Sequence, residues 1–329
     1  MMNTAQKITG WPPKKRLTAA RSSFETEALL RDCRVSTVCA SARCPNLSEC
    51  FSKGTATFLL LGDTCTGACG FCSVKKGEAA APDPQEPWRI AEAVKRLGLK
   101  YAVITSVTRD DLEGGGSGEF AKTINAIKSL SPTTKVEVLA PDFNGQKSAL
   151  ETVLGGGPEV FGHDIETVRR LYPIARRGVS YDTSLDLFKV ARRIRPSLLT
   201  KSALLAGLGE SQEEIIDTMR DLANAGCDIL MIGQYLRPSM ANLPVVRYLS
   251  QEEFDRLRKI GEGMGFRHVS AGPFVRSSYR AEEVYNEVET SLRGREAAEA
   301  IPKVASEAKQ SSDCFVGLRP PRNDDKEGR

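Results

Sequence analysis

Six of the nine cysteines, Cys39, Cys44, Cys50, Cys65, Cys69 and Cys72, fall inside a 34-residue stretch of a 329-residue chain. An even scatter would put about one there. They come as two triplets, Cys39-x4-Cys44-x5-Cys50 and Cys65-x3-Cys69-x2-Cys72. Disulfide-stapled secreted domains are short and loop-rich. This chain is long, has an odd cysteine total, and runs polar from Met1 to Arg21 where an apolar signal core would stand. Ligation of a soft or borderline metal in a reducing compartment is the better use of such thiols. The fold must therefore gather each triplet around one group.

Spacing leaves two ligand classes open. Structural zinc sites close with four ligands, usually as paired C-x2-C or with histidines. The chain has two histidines, His163 and His268, both far from the triplets in sequence. A [4Fe–4S] cluster also takes four ligands, so three thiolates leave one iron open to a further group. Cys33, Cys227 and Cys314 lack such spacing and read as ordinary thiols.

From Thr55 onward, apolar runs alternate with amphipathic stretches. Strands are expected at 55–61, 101–105, 135–139, 159–163, 198–207, 228–234 and 266–270. Helices are expected at 86–97, 119–130, 165–171, 185–193, 211–225 and 251–264. Such alternation favours an α/β fold, a partial parallel (β/α)6 barrel of the TIM type with N-terminal and C-terminal extensions. In that architecture sites gather at the strands' carboxyl ends, and the Cys65 triplet follows one. Three segments result: an N-terminal extension, 1–54, with the first triplet; a barrel, 55–292; and a charged tail, 293–329, expected to be disordered from about Ser306.

Composition narrows the class further. With 40% hydrophobic and 27% charged residues, the chain reads as a globular enzyme. A formal charge of +4 is too small and dispersed to imply nucleic-acid binding. No run of about 18 apolar residues argues for a membrane span. The expected location is the cytoplasm, with no nucleic-acid or membrane partner.

The stretch Cys65-Thr-Gly-Ala-Cys69-Gly-Phe71-Cys72 resembles the C-x3-C-x-aromatic-C motif of radical S-adenosylmethionine (SAM) enzymes. More of the chain, about 34–281, resembles the lipoyl synthase family of that superfamily. The match runs through Cys44-Pro-Asn-Leu-Ser-Glu-Cys50, Arg109-Asp-Asp-Leu112, Pro141-Asp-Phe143, Thr200-Lys-Ser202, Gly207-Leu-Gly-Glu210, Gly233-Gln-Tyr-Leu236 and Arg276-Ser-Ser-Tyr279. A sulfur inserter of the biotin synthase type is the nearest alternative, and the N-terminal place of the extra triplet argues against it.

The resemblance implies two [4Fe–4S] clusters with SAM as cosubstrate. Cys65, Cys69 and Cys72 would hold the cluster that cleaves SAM to a 5′-deoxyadenosyl radical. Cys39, Cys44 and Cys50 would hold an auxiliary cluster whose sulfides pass to the substrate. A serine of the RSSY segment would be its fourth ligand, carried here to Ser278, although spacing does not separate it from Ser277. Phe71 would lie near the adenine, Gly114, Gly115 and Gly116 near the methionyl part, Glu137 at the ribose, and Gly207 and Glu210 on the adenine side. The family's asparagine after His163 is Asp164 here, and its aspartate before Arg109 is Thr108. The implied reaction is insertion of two sulfurs at C6 and C8 of an octanoyl chain on a lysine of a lipoyl carrier, a 2-oxoacid dehydrogenase E2 domain or a glycine cleavage H protein. A ferredoxin or flavodoxin-type reductant and an iron–sulfur carrier protein complete the expected partners.

Overall fold

The structure is a computed structural model and describes residues 10–15 and 21–294. The expected disorder from Ser306, and Cys314, lie outside the described residues. The chain divides into two units, Met1–Glu282 and Glu283–Arg329. The second is helical over residues 283–294. The first holds the barrel and all that follows.

Its strands are β1 (Thr57–Leu60), β2 (Tyr101–Ser106), β3 (Lys135–Leu139), β4 (Val160–Gly162), β5 (Leu199–Ala206), β6 (Ile229–Gln234) and β7 (His268–Gly272). They pair in that order, all parallel. The connecting helices are α1 (Glu86–Arg96), α2 (Ser117–Leu130), α3 (Lys147–Gly155), α4 (Tyr181–Ile194), α5 (Gln212–Ala225) and α6 (Gln251–Gly263). Parallel neighbours need such crossovers, and each helix covers the sheet's outer face. The fold is thus the expected α/β partial barrel, with a seventh parallel strand.

Local chemistry explains the helices. In α5, Ile215, Met219 and Leu222 recur on one buried stripe. A Ser211–Glu214 capping box starts it, and Gly226, at φ 91°, ends it in the left-handed region. Ser250 and Glu253 start α6 in the same way. Outward strand residues Phe58, Leu60, Ile104, Val136, Val138 and Phe161 meet the helices in one apolar core. Full burial of such a side chain contributes about 1.5–3 kcal/mol.

Two expectations differ from the structure. Residues 165–171 are not a helix: Glu166 forms a parallel bridge with Leu204, and a 3-10 turn forms only at Arg169–Leu171. The apolar spacing there belongs to chain wrapping over β5, and Ile165, Val168 and Leu171 are buried without helical pairing. The helix α3 was not anticipated; its apolar face, Ala149, Leu150, Val153 and Leu154, is short and bounded by glycines.

The segment before residue 54 also joins the sheet. Helices Arg21–Asp32, Val38–Ser41 and Leu47–Ser52 flank a two-residue strand, Ser36–Thr37, which pairs antiparallel with Leu59 and Phe58 of β1.

Candidate active site with two thiol triplets

Residues at the carboxyl ends of the strands enclose a cavity of about 620 Å3. Its walls include Cys39, Cys44, Cys65, Cys69 and Cys72, with Phe71, Ser277 and Ser278. Cys50 does not line it but lies close enough to Cys39 and Cys44 for their charges to act on it. The two triplets therefore open on one space.

The second triplet sits on a loop that leaves β1. Glu86, the first residue of α1, accepts from the Leu61 and Gly62 amides (2.6 and 3.3 Å) and fixes the exit from the strand. A short parallel pair, Thr64–Cys65 with Lys75–Lys76, ties the loop's base. The loop is then braced on both sides. Thr66 N donates to Thr108 O (3.1 Å), and Asn242 Nδ2 donates to Cys72 O (2.9 Å). Gly70 lets the loop pack closely, since a Cβ there would stand 2.9 Å from Leu243 Cγ and force that side chain to shift. Cys65 Sγ accepts from the Gly67 and Thr108 amides, both at 3.3 Å, which fixes its direction.

The first triplet occupies the two helices after Ser36–Thr37. Its loop is held by the chain's far end. Asn46 Nδ2 donates to Phe274 O (2.7 Å), and the Tyr279 hydroxyl donates to Glu49 Oε1 (2.9 Å). Lys15 pairs with Glu49 (2.8 Å), donates to Asn46 and lies over the rings of Phe274 and Tyr279. Thr57 hydrogen-bonds to Cys39, and its hydroxyl donates to Ser278 Oγ (2.7 Å). Ser277 Oγ instead donates to Asp164 Oδ1 (2.8 Å). Ser278 thus stands on the Cys39 side, a distinction that the sequence spacing did not make.

Burial pushes the Cys39 and Cys69 thiols up, Cys72 up to about 11 and Cys50 up to about 12. Loading with metal must displace those protons. Among the described residues, no three His, Cys, Asp or Glu side chains converge as for a single ion. A cubane asks each of three thiolates for a separate iron, so its ligands need not meet at one point.

The wall between the triplets carries charges that sequence reasoning did not single out. Arg176 and Glu166 both face the cavity. Arg176 Nη1 donates to Asp164 O (2.8 Å), while its buried Nε has no hydrogen-bond partner. Burial pushes the Asp164 and Glu166 carboxyls up, and Asp164 raises Glu166 further. Acidic residues two apart just past a strand were the available signal. The false helix over 165–171 hid it. His163 lines the wall but is a structural histidine. It bonds Ala140 O (2.9 Å) and Ser184 Oγ (3.0 Å), and burial, aided by Arg176, draws its pKa down to about 3.

Three expected cofactor contacts lie elsewhere. Glu137 points to the right side of β3 but one layer below the lining residue Leu139. There its carboxylate pairs with Lys201 Nζ (2.9 Å) and accepts from the Tyr101 hydroxyl (2.6 Å), all buried. Gly114, Gly115 and Gly116 have left-handed φ of 61°, 60° and 82° and pack against Ser117, Phe143 and Leu61, outside the lining. The Glu210 carboxylate accepts from the amides of Gly207 and Leu208, closing its own turn. A Cβ at Gly207 would strike Gln234 and Arg247 O. Their glycines and acids are spent on turn geometry and packing. Phe71 does line the cavity.

The Radical SAM superfamily model matches residues 59–222, and that superfamily uses a [4Fe–4S] cluster and SAM. The residues present fit such a group: three thiols on a braced loop, two amides aimed at one sulfur, and an unpartnered guanidinium nitrogen beside them. Among solved structures, SuiB of Streptococcus suis bound to precursor peptide SuiA shares the fold. The TM-score is 0.51 at 14% identity, over 81% of this chain and 58% of that one. Lipoyl synthase of Aquifex aeolicus is 53% identical over 260 residues, 79% of this chain and 94% of that one. The Rubrobacter xylanophilus enzyme of the same name is 49% identical over 285 residues, 87% of this chain and 88% of its own. With identity of that level across most of both chains, the protein belongs to the lipoyl synthase family of radical SAM sulfurtransferases.

Proposed function

We propose that the protein inserts two sulfur atoms at C6 and C8 of an octanoyl chain borne on a lysine of a lipoyl carrier domain, consuming two SAM. The observation that carries this reading is the opening of both thiol triplets onto one cavity. Unactivated methylenes offer no proton acidic enough for a positioned base, so acid–base side chains alone would not serve. When bound, the two clusters supply what the side chains lack: an electron to turn SAM into a carbon-attacking radical, and sulfide.

The chain's own residues bind and orient. Cys65, Cys69 and Cys72 hold the first cluster, and Cys39, Cys44, Cys50 and Ser278 the second. The free Nε of buried Arg176 suits the SAM carboxylate, and Phe71 offers a flat apolar face. Val38, Leu59, Leu139, Leu205 and Met231 line the cavity and give the octanoyl chain an apolar wall. Burial there is worth about 0.8 kcal/mol per methylene. Arg43, Lys76, Arg177 and Arg237 also border the cavity and suit an acidic carrier, an E2 domain or an H protein. A ferredoxin or flavodoxin supplies electrons, and an iron–sulfur carrier restores the consumed cluster. The thiols call for a reducing compartment, the cytoplasm. No helix among the described residues is long and apolar enough to cross a membrane.

The test is mass spectrometry of an octanoylated carrier peptide incubated anaerobically with reconstituted protein, reductant and SAM. A gain of two sulfurs supports the reading. Two tightly held zincs and no iron would overturn it.

A further inference from the structure

The two adjacent hydroxyls of the Arg276–Tyr279 turn are not equivalent. Ser277 Oγ donates to Asp164 Oδ1 at 2.8 Å, whereas Ser278 Oγ accepts from Thr57 at 2.7 Å, and Thr57 also bonds Cys39. Asp164 follows β4, on the side of the cavity where Arg176 and Cys69 stand. Its backbone is itself held, since Arg176 Nη1 donates to Asp164 O at 2.8 Å. Lys201 and Arg176 surround its carboxylate with positive charge. A hydroxyl that donates to a carboxylate makes one of the stronger, charge-assisted hydrogen bonds, which holds the Ser277 side chain turned toward Asp164.

We propose that Asp164 is a positioning residue that anchors the Arg276–Tyr279 turn through Ser277, and so holds Ser278 facing the Cys39, Cys44 and Cys50 site. The inference rests on the proposed second cluster and adds to it the means by which its serine ligand is held. Asp164 acts through its hydrogen bond with Ser277. Its Oδ1 acceptor is what the role requires, so an asparagine, which keeps that oxygen, can take its place, and an alanine cannot.

The test uses the full chain reconstituted with iron and sulfide under anaerobic conditions, with chelator-driven iron loss as the readout. Asp164→Ala and Ser277→Ala should each speed loss of the second cluster's iron by at least fivefold. The double variant should be no faster than either single one, because both remove the same hydrogen bond. Asp164→Asn should stay near the parent rate. Unchanged rates in both alanine variants, or additive effects, overturn the proposal. Ser278→Ala should lose the second cluster's iron faster than Ser277→Ala, and the reverse order overturns it too. Should Asp164→Ala fold poorly, Ser277→Ala deletes one oxygen and carries the comparison. If the parent protein binds one cluster only, the proposed function fails instead, and the iron count of the parent tells the two failures apart.

Discussion

The Tyr279 hydroxyl donates to Glu49 Oε1 at 2.9 Å, joining residues 230 apart in the chain. Glu49 stands next to Cys50, and Tyr279 next to Ser278. Three thiols from one end of the chain and a hydroxyl from the other are thereby held in one place. Lys15 adds a second fastening, pairing with Glu49 at 2.8 Å, and together Lys15 and Tyr279 hold the Glu49 carboxyl below the usual carboxylate range.

Tyr279→Phe removes that bond and leaves the ring. A hydrogen bond to a charged group contributes about 1.5–3 kcal/mol, less where water reaches it. The expected result is partial loss of the iron bound by the N-terminal triplet, with reductive SAM cleavage retained. Iron per chain and 5′-deoxyadenosine yield measure both, and parallel loss of the two would refute a local role.

Cys39→Ala should leave SAM cleavage intact and abolish sulfur insertion, because the Cys65 loop is braced independently of residue 39. The variant is expected to bind about four irons where the parent binds about eight. Lipoyl formation at the parental rate would mean that the first triplet is not the sulfur source.

Glu137 and Lys201 form an ion pair with side chains 2% and 1% exposed. Removing one partner of such a pair costs about 3–5 kcal/mol, whereas replacing both with apolar residues of similar volume can be neutral. Lys201→Met alone should therefore destabilise strongly, and Glu137→Leu with Lys201→Met should recover most of the loss in denaturant titration. A Glu137 variant of unchanged stability but weakened SAM binding would restore the ribose role that its depth in the barrel denies it.

His163 gives a pH dependence with a definite sign. Its folded pKa is drawn down to about 3, against an ordinary value of 6.5. Between those values the unfolded chain takes up a proton that the folded one refuses, so stability is present above pH 6.5 and is lost on acidification through this window. The slope is at most about 1.4 kcal/mol per pH unit. Anaerobic thermal unfolding at pH 7.5 and pH 5.5 should show a smaller acid-induced fall for His163→Gln than for the parent. Equal falls would show that the imidazole is not the group responsible.

Periodicity made most of the barrel legible, since five of its six connecting helices and its seven parallel strands alternate over apolar runs that need no knowledge of distant contacts, whereas α3 is too short and glycine-bounded to show. Spacing made the six cysteines legible for the same reason: each triplet is local. The charged wall was less accessible. Glu166 and Arg176 meet Asp164 only because chain that looks helical wraps over β5 as a bridge. Glu137, Gly207 and Glu210 carried motif-like signals, yet one lies a layer too deep and two close their own turn. The choice between Ser277 and Ser278 depends on partners 113 and 221 residues away, which no local pattern encodes.

Among the described residues, the short strand Ser36–Thr37 is the one strand that pairs with the outer edge of β1 in the sheet. A chain begun at residue 55 would lose three thiols and would also bare a row of unpaired amides and carbonyls on an apolar strand. Such an edge recruits other copies of itself, so the truncated barrel should precipitate rather than persist as a simpler SAM-cleaving enzyme. Solubility and sulfur chemistry are thus bound to the same few N-terminal residues.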